Sequence, residues 1–509
     1  MQGVWTPESV RAAEQRLFEQ VAEPTVMRRA AWAVAVHCAR LLRDATGGVP
    51  GRHVTLLVGA GNNGGDALWA GAFLRRRGVG VTAVLLVPER AHAEGLAALR
   101  RAGGGVVEAE GAGADTSGIG AEAVEALDRA DLVVDGIVGL SAHSGLRPTA
   151  AELVRRVEVP VLAVDLPSGV DPTTGTEDGV VVDADVTVTF GGLRACHVLG
   201  AGATRAGEIV VADIGLDDHW GRPDLLMLDA EDVGAVWPVP APDDDKYSQG
   251  VVGVAAGSAT YPGAAVLTSG AAVAATSGMV RYAGPAADVV RSARPEVVAT
   301  GSVGDAGRVQ AWSVGPGIGT GGSGREVLVR VLESGVPVIA DADAITLLAE
   351  DSSVWDARDP DTPLVLTPHA GEFSRLAGDP GTDRVAAARS AAERFDATVL
   401  LKGHSTVVAA PDGRVLVNAF AHAWPATAGS GDVLTGLIGA LLASDLDPLI
   451  ACASAAYVHS VAAEIAATGG HTVPGAPARD GSAGSPAGAS PLLAALPDAI
   501  STVRSTVGT

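Results

Sequence analysis

The feature that most constrains the fold is a repeated alternation of short apolar strands, glycine-rich turns and helices. In HVTLLVGAGNNGGDALWAGAFLRRRGVGVTAVLLV, a strand near residues 53–58 runs into a glycine loop, a helix near 66–77 and a second strand near 79–87. Such a βαβ unit makes its two strands parallel. The alternation continues to about residue 212 and resumes after residue 245. We therefore predict an α/β protein, with a doubly wound parallel sheet in the first half whose ligands bind at the carboxyl ends of the strands, and a second α/β series in the other half.

The length of 509 residues predicts two domains of ordinary size. The pattern weakens over residues 216–245, which end in the proline- and aspartate-rich WPVPAPDDDK. We place the boundary there, with one domain over 1–225 and the other over 226–509. Residues 468–490 are rich in Gly, Ala, Pro and Ser, and such a composition buries too little apolar surface to order itself. We expect a linker-like insertion there, followed by a terminal helix.

The composition excludes several classes of partner. A formal net charge of -23 argues against nucleic-acid binding, because little in the chain would neutralise backbone phosphates. No apolar run reaches membrane-spanning length without an interrupting Gly, Pro or charge, and the N-terminus lacks the pattern of a signal peptide. Cys38, Cys196 and Cys452 form neither a metal-ligand spacing nor a disulfide pattern, which fits a reducing compartment. We expect a cytoplasmic homo-oligomer without a nucleic-acid or membrane partner.

The first glycine loop admits two interpretations. Residues 59–64 match GxGxxG, the pattern of a dinucleotide-binding Rossmann fold, with Glu89 as a possible ribose-binding acid. However, Asn62, Asn63 and Asp66 put amides and a carboxylate where a pyrophosphate requires bare backbone. A carboxylate in this loop repels phosphate but suits a monovalent cation or acid–base chemistry.

Two further acids follow predicted strands of the same sheet. Asp135 ends the strand in DLVVDGIVG, and Asp165 ends the strand in VPVLAVDLPSGVD, with Ser168 three residues later. One aspartate at a strand end is usually structural. Three polar clusters at strand ends of one parallel sheet converge on a single cleft, which favours a functional site.

In the second half, WPATAGSGDVLTGLIGALL joins a glycine loop to a buried helix. The loop at residues 429–431 lets backbone amides approach an anion, and a helix N-terminus favours a phosphate there. Asp432 either caps this helix or takes a proton from an attacking hydroxyl. His369 follows a strand and is either a satisfied polar residue or a catalyst. Lys402 is one of only two lysines, which indicates either chance or a need for a compact ammonium.

Three stretches of the first half carry a specific resemblance. VGAGNNGGDALWAGAFLRRRG, VDGIVG and VDLPSGVD resemble the epimerase domain of the NAD(P)H-hydrate repair enzymes, over roughly residues 6–215. By this resemblance, the hydrated NADH or NADPH (NADHX or NADPHX) would contact Asn62, Asn63, Gly64, Gly65, Asp66, Gly139, Gly145 and Asp165. A potassium ion would be held by Asn63, Asp135 and Ser168. Asp66 and Asp165 would be the catalytic acids.

The second half, roughly residues 226–509, is similar to the ribokinase-like fold. KYSQG, GPGIG, LTPHAGEF, KGHST and AGSGDVLTG together resemble the ADP-dependent dehydratases of the same repair family, and no P-loop pattern occurs. By this resemblance, the substrate would contact Ala264, Gly317, His369 and Asp432. The co-substrate ADP, with Mg²⁺ on its phosphates, would be held by Lys402, Gly403, His404, Ser405, Thr406 and Gly431. Asp432 would be the catalytic base.

The resemblance implies a bifunctional isomerase and lyase. The N-domain would interconvert the R and S epimers of hydrated NAD(P)H, and the C-domain would use ADP to dehydrate the S epimer. The residues alone leave open a ribokinase-like kinase for a small molecule, such as a vitamin precursor, fused to a nucleotide-binding domain. They also leave open a regulator whose N-domain only binds nucleotide, because the loop GLSAHSGLRP after Asp135 departs from the family's glycine-rich pattern.

Overall fold

The computed structural model describes residues 1–110, 118–141, 145–276, 278–419, 423–470 and 484–508. The chain divides into two compact units, one of Gly3–Leu225 and one of Leu226–Thr509 with Met1–Gln2. Each unit has its own buried apolar core. The predicted low-complexity insertion falls largely on residues 471–483, which lie outside the described residues.

The N-terminal unit alternates strands and helices along the chain. Its strands are β1 (Gln2–Trp5), β2 (His53–Val58), β3 (Gly80–Leu85), β4 (Gly105–Glu108), β5 (Leu132–Gly136), β6 (Val161–Val164), β7 (Val186–Phe190), β8 (Leu193–Arg194) and β9 (Glu208–Ala212). Its helices are α1 (Pro7–Phe18), α2 (Glu23–Thr46), α3 (Asn62–Arg75), α4 (Ala93–Arg101), α5 (Ala121–Asp128), α6 (Pro148–Arg155) and α7 (Gly202–Arg205).

Seven of these strands form one parallel sheet in the order β4-β3-β2-β5-β6-β7-β9. The chain winds outward from β2 to β3 and β4, and then returns to lay β5 on the other side of β2. The strand order reverses between β2 and β5, and in such sheets ligands bind in the crevice beyond the carboxyl ends of the strands at this point. The short strand β1 pairs with β8, with Trp5 opposite Arg194.

The structure corrects the predicted start of the helix that follows the first glycine loop. The glycine pattern predicts a helix near residues 66–77, whereas α3 begins at Asn62. Gly61 makes the turn into the helix with φ 130°, a conformation that glycine adopts readily. A Cβ atom on Gly64 would lie 2.4 Å from the Gly59 carbonyl oxygen, so this glycine lets the first helical turn pack against the loop. The NNGGD segment is therefore a helix start rather than a free loop.

The C-terminal unit continues the alternation. Its strands are β10 (Leu225–Met227), β11 (Val251–Ala255), β12 (Met279–Ala283), β13 (Val298–Thr300), β14 (Ala311–Val314), β15 (Val338–Ala340), β16 (Leu364–Leu366), β17 (Thr398–Leu401), β18 (Thr406–Ala409) and β19 (Val415–Asn418). Its helices are α8 (Ala230–Val236), α9 (Pro262–Ala275), α10 (Ala287–Ala293), α11 (Gly322–Leu332), α12 (Asp343–Glu350), α13 (Ala370–Ala377), α14 (Arg384–Phe395), α15 (Ser430–Ala443), α16 (Pro448–Thr468) and α17 (Ala489–Arg504).

The sheet of this unit runs in the order β13-β12-β11-β14-β15-β16-β17-β18-β19-β10. Strands β11 to β17 are mutually parallel, and β18 turns back antiparallel between β17 and β19. Because β15, β16 and β17 are parallel neighbours, the residues that follow them reach one edge of the sheet. That edge positions the candidate site.

Two buried helices stabilise this unit. On α15, a Cβ atom at Gly436 would lie 2.2 Å from the Thr268 carbonyl oxygen of α9, so glycine allows the two helices to pack closely. Among the described residues, α16 alone is long and apolar enough to cross a membrane, but 83% of its most apolar window is buried within the protein. Helix α16 is therefore packed like a core helix.

Candidate active sites of the two units

Three neighbouring strands of the C-terminal unit bring side chains to one edge. Asp341 follows β15, His369 follows β16 and Lys402 follows β17. The N-terminus of α15 lies at the same place, because a Cβ atom on Gly431 would be 3.5 Å from Asp341 Oδ2 and 3.6 Å from Lys402 Nζ. The structure therefore brings together the predicted lysine and the glycine loop.

A buried ion pair holds the ammonium in place. Lys402 Nζ donates to Asp341 Oδ1 at 2.7 Å and lies 3.9 Å from Glu372 Oε2. The other oxygen of Asp341 accepts a hydrogen bond from Thr435 Oγ1 at 2.8 Å. Burial opposes the charged form of Lys402, but Asp341, Glu372 and Asp432 outweigh this effect and raise its pKa. Lys402 is therefore a fixed positive charge beside the loop.

Asp432 lies in the first turn of α15, after Gly429 in the left-handed conformation with φ 84°. Burial, together with the charges of Asp341 and Asp343, raises the pKa of Asp432 to about 6, and Lys402 opposes this shift. Within the part of the chain that the structure describes, no amide donates to this carboxylate, so Asp432 does not cap the helix. A carboxylate with these properties can accept a proton near neutral pH.

His369 is the N-cap residue of α13. It therefore has the hydrogen bonds of a satisfied polar residue, one of the two roles that the sequence leaves open. Its Nδ1 accepts hydrogen bonds from the Gly371 and Glu372 amides at 3.0 and 3.3 Å, so its Nε2 carries the proton. Its own amide donates to Glu372 Oε2 at 2.9 Å, which completes a capping box. The side chain is 57% exposed, and the ring is open to a ligand.

The other two predicted substrate residues of this unit lie against each other. Gly317 has φ 66°, and a Cβ atom on it would be 3.2 Å from the Ala264 Cβ atom. The Gly319 amide donates to Asp343 Oδ2 at 2.8 Å, which ties the loop after β14 to the start of α12. The GPGIG loop and the start of α9 therefore form one wall.

The turn at residues 402–406 is braced by an arginine from α14. Arg384 donates to the Lys402 carbonyl oxygen at 2.8 Å, and a Cβ atom on Gly403 would lie 2.6 Å from the Arg384 guanidinium. Burial lowers the pKa of Arg384. Glycine at 403 thus lets the arginine close over the turn.

The remaining residues of this turn differ in environment. Burial lowers the pKa of His404. Ser405 is 4% exposed, and its hydroxyl has no hydrogen-bond partner among the described residues. Thr406 Oγ1 donates to the Gly403 carbonyl oxygen at 3.4 Å. The buried hydroxyl of Ser405 is a polar group for which a ligand could supply a partner.

In the N-terminal unit, the three predicted potassium ligands lie around the backbone of Val138. Ser168 donates to Asp135 through its amide at 2.8 Å and through its hydroxyl at 2.7 Å. The Val138 amide donates to Ser168 Oγ at 3.1 Å, and Asn63 Nδ2 donates to the carbonyl oxygens of Val138 and Val164 at 3.1 and 2.6 Å. Burial raises the pKa of Asp135 to about 6, against the hydrogen bonds from Ser168.

The two glycines predicted to contact the substrate, Gly139 and Gly145, have different neighbours. A Cβ atom on Gly139 would lie 2.4 Å from Asn63 Oδ1, so Gly139 allows the asparagine amide to approach the loop. The Gly145 amide instead donates to the Gly169 carbonyl oxygen at 2.8 Å. Residues 142–144 of the altered loop lie outside the described residues.

Asp165 is held by a buried arginine. Asp165 has φ 68°, and its Oδ1 accepts hydrogen bonds from Thr189 Oγ1 at 2.9 Å and Arg194 Nε at 3.1 Å. Arg194 is 1% exposed. His197 Nδ1 accepts from the Arg194 amide, so Nε2 donates to the Asp165 carbonyl oxygen at 2.8 Å. Burial lowers the pKa of His197 to about 4, which keeps this ring neutral.

Asp66 is the unpaired acid of the NNGGD segment. It is 6% exposed, and its Oδ1 has no hydrogen-bond partner in the described ranges. Burial, and then the charges of Asp165 and Glu14, raise its pKa well above the ordinary value. Gly65 is buried beside it, whereas Asn62 is exposed at the start of α3.

Comparison with known proteins agrees with this geometry. A family model described as NAD(P)H-hydrate dehydratase matches residues 252–480, and one described as the YjeF-related protein N-terminus matches residues 24–196. The bifunctional NAD(P)H-hydrate repair enzyme of Mycobacterium tuberculosis strain H37Rv is 51% identical over 450 residues, 88% of this chain and 90% of that protein. The enzyme of the same name from Mycobacterium leprae is 49% identical over 471 residues, 92% of this chain and 94% of that protein. The chain belongs to the bifunctional NAD(P)H-hydrate repair enzymes.

Membership of the bifunctional NAD(P)H-hydrate repair enzymes confirms the predicted family and the prediction of an enzyme. The predicted fold class is also confirmed, with a doubly wound parallel sheet in the N-terminal unit and a ribokinase-like C-terminal unit. A solved ADP/ATP-dependent NAD(P)H-hydrate dehydratase from Bacillus subtilis, co-crystallised with ATP and Mg²⁺, is 26% identical. It covers 55% of this chain and 99% of its own, with a TM-score of 0.46.

Several residues at the two sites of this repair enzyme were not among the sequence-predicted site residues. Asp341 pairs with Lys402, Arg384 braces the following turn, and Arg194 binds Asp165. Asp341 directly follows β15, so the rule that singled out Asp135 and Asp165 could also have found it. Arg194 lies in the short strand β8, which is not part of the seven-stranded parallel sheet. Arg384 comes from a helix, and no sequence pattern marks it.

Proposed function

We propose that the C-terminal site of this repair enzyme uses ADP to dehydrate the S epimer of hydrated NADH or NADPH. The observation that carries the proposal is Asp432, a partly buried carboxylate with a pKa of about 6 at a helix N-terminus. It shares this place with the Lys402 ammonium and the Gly431 backbone. A base, a cation and an anion-binding loop are the parts that phosphoryl transfer requires.

The reaction would proceed in two steps. Asp432 takes the proton of the ring hydroxyl, the hydroxyl oxygen attacks the terminal phosphorus of ADP, and the bond to AMP breaks. The lone pair of the ring nitrogen then expels phosphate, and the adjacent carbon loses a proton to restore the dihydropyridine ring. The products are AMP, phosphate and NADH or NADPH. A pKa near 6 leaves Asp432 ionised at neutral pH but more basic than an ordinary aspartate.

The nucleotide would lie across the turn of residues 402–406 and the N-terminus of α15. Lys402 and the backbone at Gly431 would meet the phosphates, and Mg²⁺ would neutralise part of their charge. The hydrated nicotinamide would contact Ala264, Gly317 and His369. The proximity of Ala264 to Gly317 and the exposure of the His369 ring support this assignment.

For the N-terminal site we propose epimerisation of the same substrate. Asp66 or Asp165 would shuttle a proton at the hydroxyl-bearing carbon or its ring nitrogen. The raised pKa of Asp66 supports a proton donor, because this carboxyl holds its proton at pH values where an ordinary aspartate is ionised. Asn62, Gly64 and Gly65 would contact the substrate along the first turn of α3, with Gly139 and Gly145 on the opposite loop.

The donor set at Asn63, Asp135 and Ser168 fits a potassium ion. It consists of an amide oxygen, one carboxylate and a hydroxyl, and hard cations prefer such oxygen ligands. The three side chains are already linked through Val138. A bound cation would fix the loop after β5 and so hold the wall of the substrate site.

The test begins with a mixture of both epimers of hydrated NADH, the enzyme, Mg²⁺ and ADP. Reduced nicotinamide absorbs in the near ultraviolet and its hydrate does not. Full recovery of this absorbance, faster than the epimers exchange unaided, is the expected result. Recovery that stops when one epimer is consumed would contradict the N-terminal assignment alone. No recovery, with a stable phosphorylated product instead, would favour a small-molecule kinase.

A further inference from the structure

The N-terminal arm of the chain reaches the site that is built from α3, β6 and β7. Strand β1 pairs with β8 and places Trp5 opposite Arg194, so the helix that follows starts beside this arginine. On α1, Arg11 donates to the Leu140 carbonyl oxygen at 2.9 Å, in the loop after β5. Glu14 is three residues from Arg11, and residues at this spacing share one face of a helix. The same face of α1 that contacts the loop therefore presents Glu14.

Glu14 is half-buried and has charged neighbours on several elements. They are Arg11 on its own helix, Glu23 on α2, Asp66 on α3, Asp165 after β6 and Arg194 in β8. Burial raises the pKa of Glu14; Arg194 lowers it and Asp165 raises it again. Among the described residues no group donates a hydrogen bond to this carboxylate. Glu14 is thus a carboxylate without a hydrogen-bond donor in the described part of the chain, within a cluster formed by the charged residues named above.

The other acids of the cluster are not equivalent. Asp165 is paired with Arg194, whose guanidinium lies 3.0 Å from Asp165 Oδ1. Asp66 has no such cation, and its Oδ1 is buried without a hydrogen-bond partner in the described part of the chain. An unpartnered oxygen on a carboxyl that is 6% exposed indicates a missing ligand atom rather than a structural contact. Glu14 and Asp66 therefore remain as two free acids from two elements.

We propose that Glu14 is a second acid–base residue of the N-terminal site, taking the proton of the substrate hydroxyl while Asp66 protonates the ring nitrogen. This inference rests on the proposed epimerase function. Residue 14 precedes the range of the family match, which begins at residue 24. Burial, and then repulsion from Asp165 and Glu14, disfavours the ionised form of Asp66. The more deeply buried Asp66 keeps the proton, and Glu14, which also faces Arg194, is the ionised partner.

The chemistry is a reversible opening of the ring. Glu14 takes the hydroxyl proton, the ring carbon–nitrogen bond breaks as the aldehyde forms, and Asp66 gives its proton to the nitrogen. Rotation about the adjacent carbon–carbon bond presents the other face of the aldehyde. The nitrogen then attacks this face, returns its proton to Asp66, and the new hydroxyl receives its proton from Glu14. The pair ends each turnover with one proton, as it began.

The test uses the full chain and follows the conversion of one purified substrate epimer into the other by chromatography. ADP is left out so that no dehydration takes place. Glu14→Gln, Glu14→Asp and Glu19→Gln are compared with the wild type from about pH 5 to pH 9. Glu19 ends the same helix and is exposed, which makes it the matched control. Loss of a general base typically lowers a rate about 10²- to 10⁴-fold.

We expect kcat for exchange to fall at least about 10²-fold in Glu14→Gln. The acid limb of the pH profile, which is the fall of the rate at low pH as the base is protonated, should also disappear. Glu14→Asp should keep that limb with an intermediate rate, and Glu19→Gln should match the wild type. A wild-type rate in Glu14→Gln overturns the proposal. So does a reduced rate that keeps the acid limb, since this would mean that Glu14 only positions Arg194. Absence of exchange in the wild type would instead refute the epimerase function itself.

Discussion

Removal of the fixed cation of the C-terminal site should destabilise that unit in a pH-dependent way. Lys402→Met deletes an ammonium 2.7 Å from Asp341 Oδ1 and 3.9 Å from Glu372 Oε2. Methionine keeps an unbranched apolar stem, so charge is lost rather than packing. Removing one partner of a buried ion pair typically costs about 3–5 kcal/mol. Because the Lys402 side chain is 22% exposed, we expect the lower end, about 3 kcal/mol.

The sign of the pH dependence follows from Asp432. Its pKa is already raised to about 6, and Lys402 is the charge that lowers it, so Lys402→Met should raise this pKa further. A carboxyl with a raised folded-state pKa contributes stability below its unfolded pKa and loses it as pH rises through the folded pKa. In the variant, the stability lost as pH rises grows by about 1.4 kcal/mol for each further unit by which the pKa of Asp432 is raised, and the loss continues to higher pH. The free energy of unfolding of the variant should therefore be lowest in mildly alkaline solution and increase on acidification.

Urea unfolding at several pH values measures this effect. In the wild type, the transition that moves when ADP and Mg²⁺ are added identifies the C-terminal unit. The matched control is Lys246→Met, because Lys246 is exposed and its ammonium lies 5.2 Å from the Tyr247 ring centroid. We expect this control to stay within about 0.5 kcal/mol of the wild type. Equal midpoints for the two lysine variants at every pH would refute the account of the ion pair.

Two glycine substitutions test close packing. Gly436→Ala places a Cβ atom 2.2 Å from a carbonyl oxygen of α9, so we expect the C-terminal unit to lose about 1–3 kcal/mol in urea unfolding. Gly263→Ala, where the added atom meets nothing within 4 Å, is its control, and equal midpoints would contradict the packing argument. Gly139→Ala places a Cβ atom 2.4 Å from Asn63 Oδ1, so epimer exchange should slow and require more potassium while dehydration is unchanged. A potassium titration of exchange checks this, and an unaltered titration curve would count against a potassium site there.

Much of the fold could be predicted from the sequence, because each parallel strand is a short apolar run bounded by glycine or a polar turn. The start of α15 was visible for the same reason, since apolar residues begin to recur at helical spacing after the glycine loop. The start of α3 was not. There the conformation of Gly61 and the contact between Gly64 and Gly59 decide where the helix begins, and both depend on the packed loop.

The convergence of site residues was predictable, whereas their pairing was not. His369 and Lys402 follow neighbouring parallel strands, so their arrival at one edge is a property of the topology. The ion pair between Lys402 and Asp341 depends on side-chain conformation and burial, which the sequence does not encode locally. Glu14 was missed for a different reason, because the position of α1 depends on the pairing of β1 with β8 and on the hydrogen bond from Arg11 to Leu140.

The most direct test of the two-site account is Asp432→Asn, with dehydration and epimer exchange measured on the same preparation. Asparagine keeps the shape of the side chain but cannot accept the hydroxyl proton. We predict that dehydration of the S epimer falls by about 10²- to 10⁴-fold, the range for loss of a general base, while epimer exchange keeps its wild-type rate. Dehydration at the wild-type rate, or equal loss of both reactions, would contradict the account.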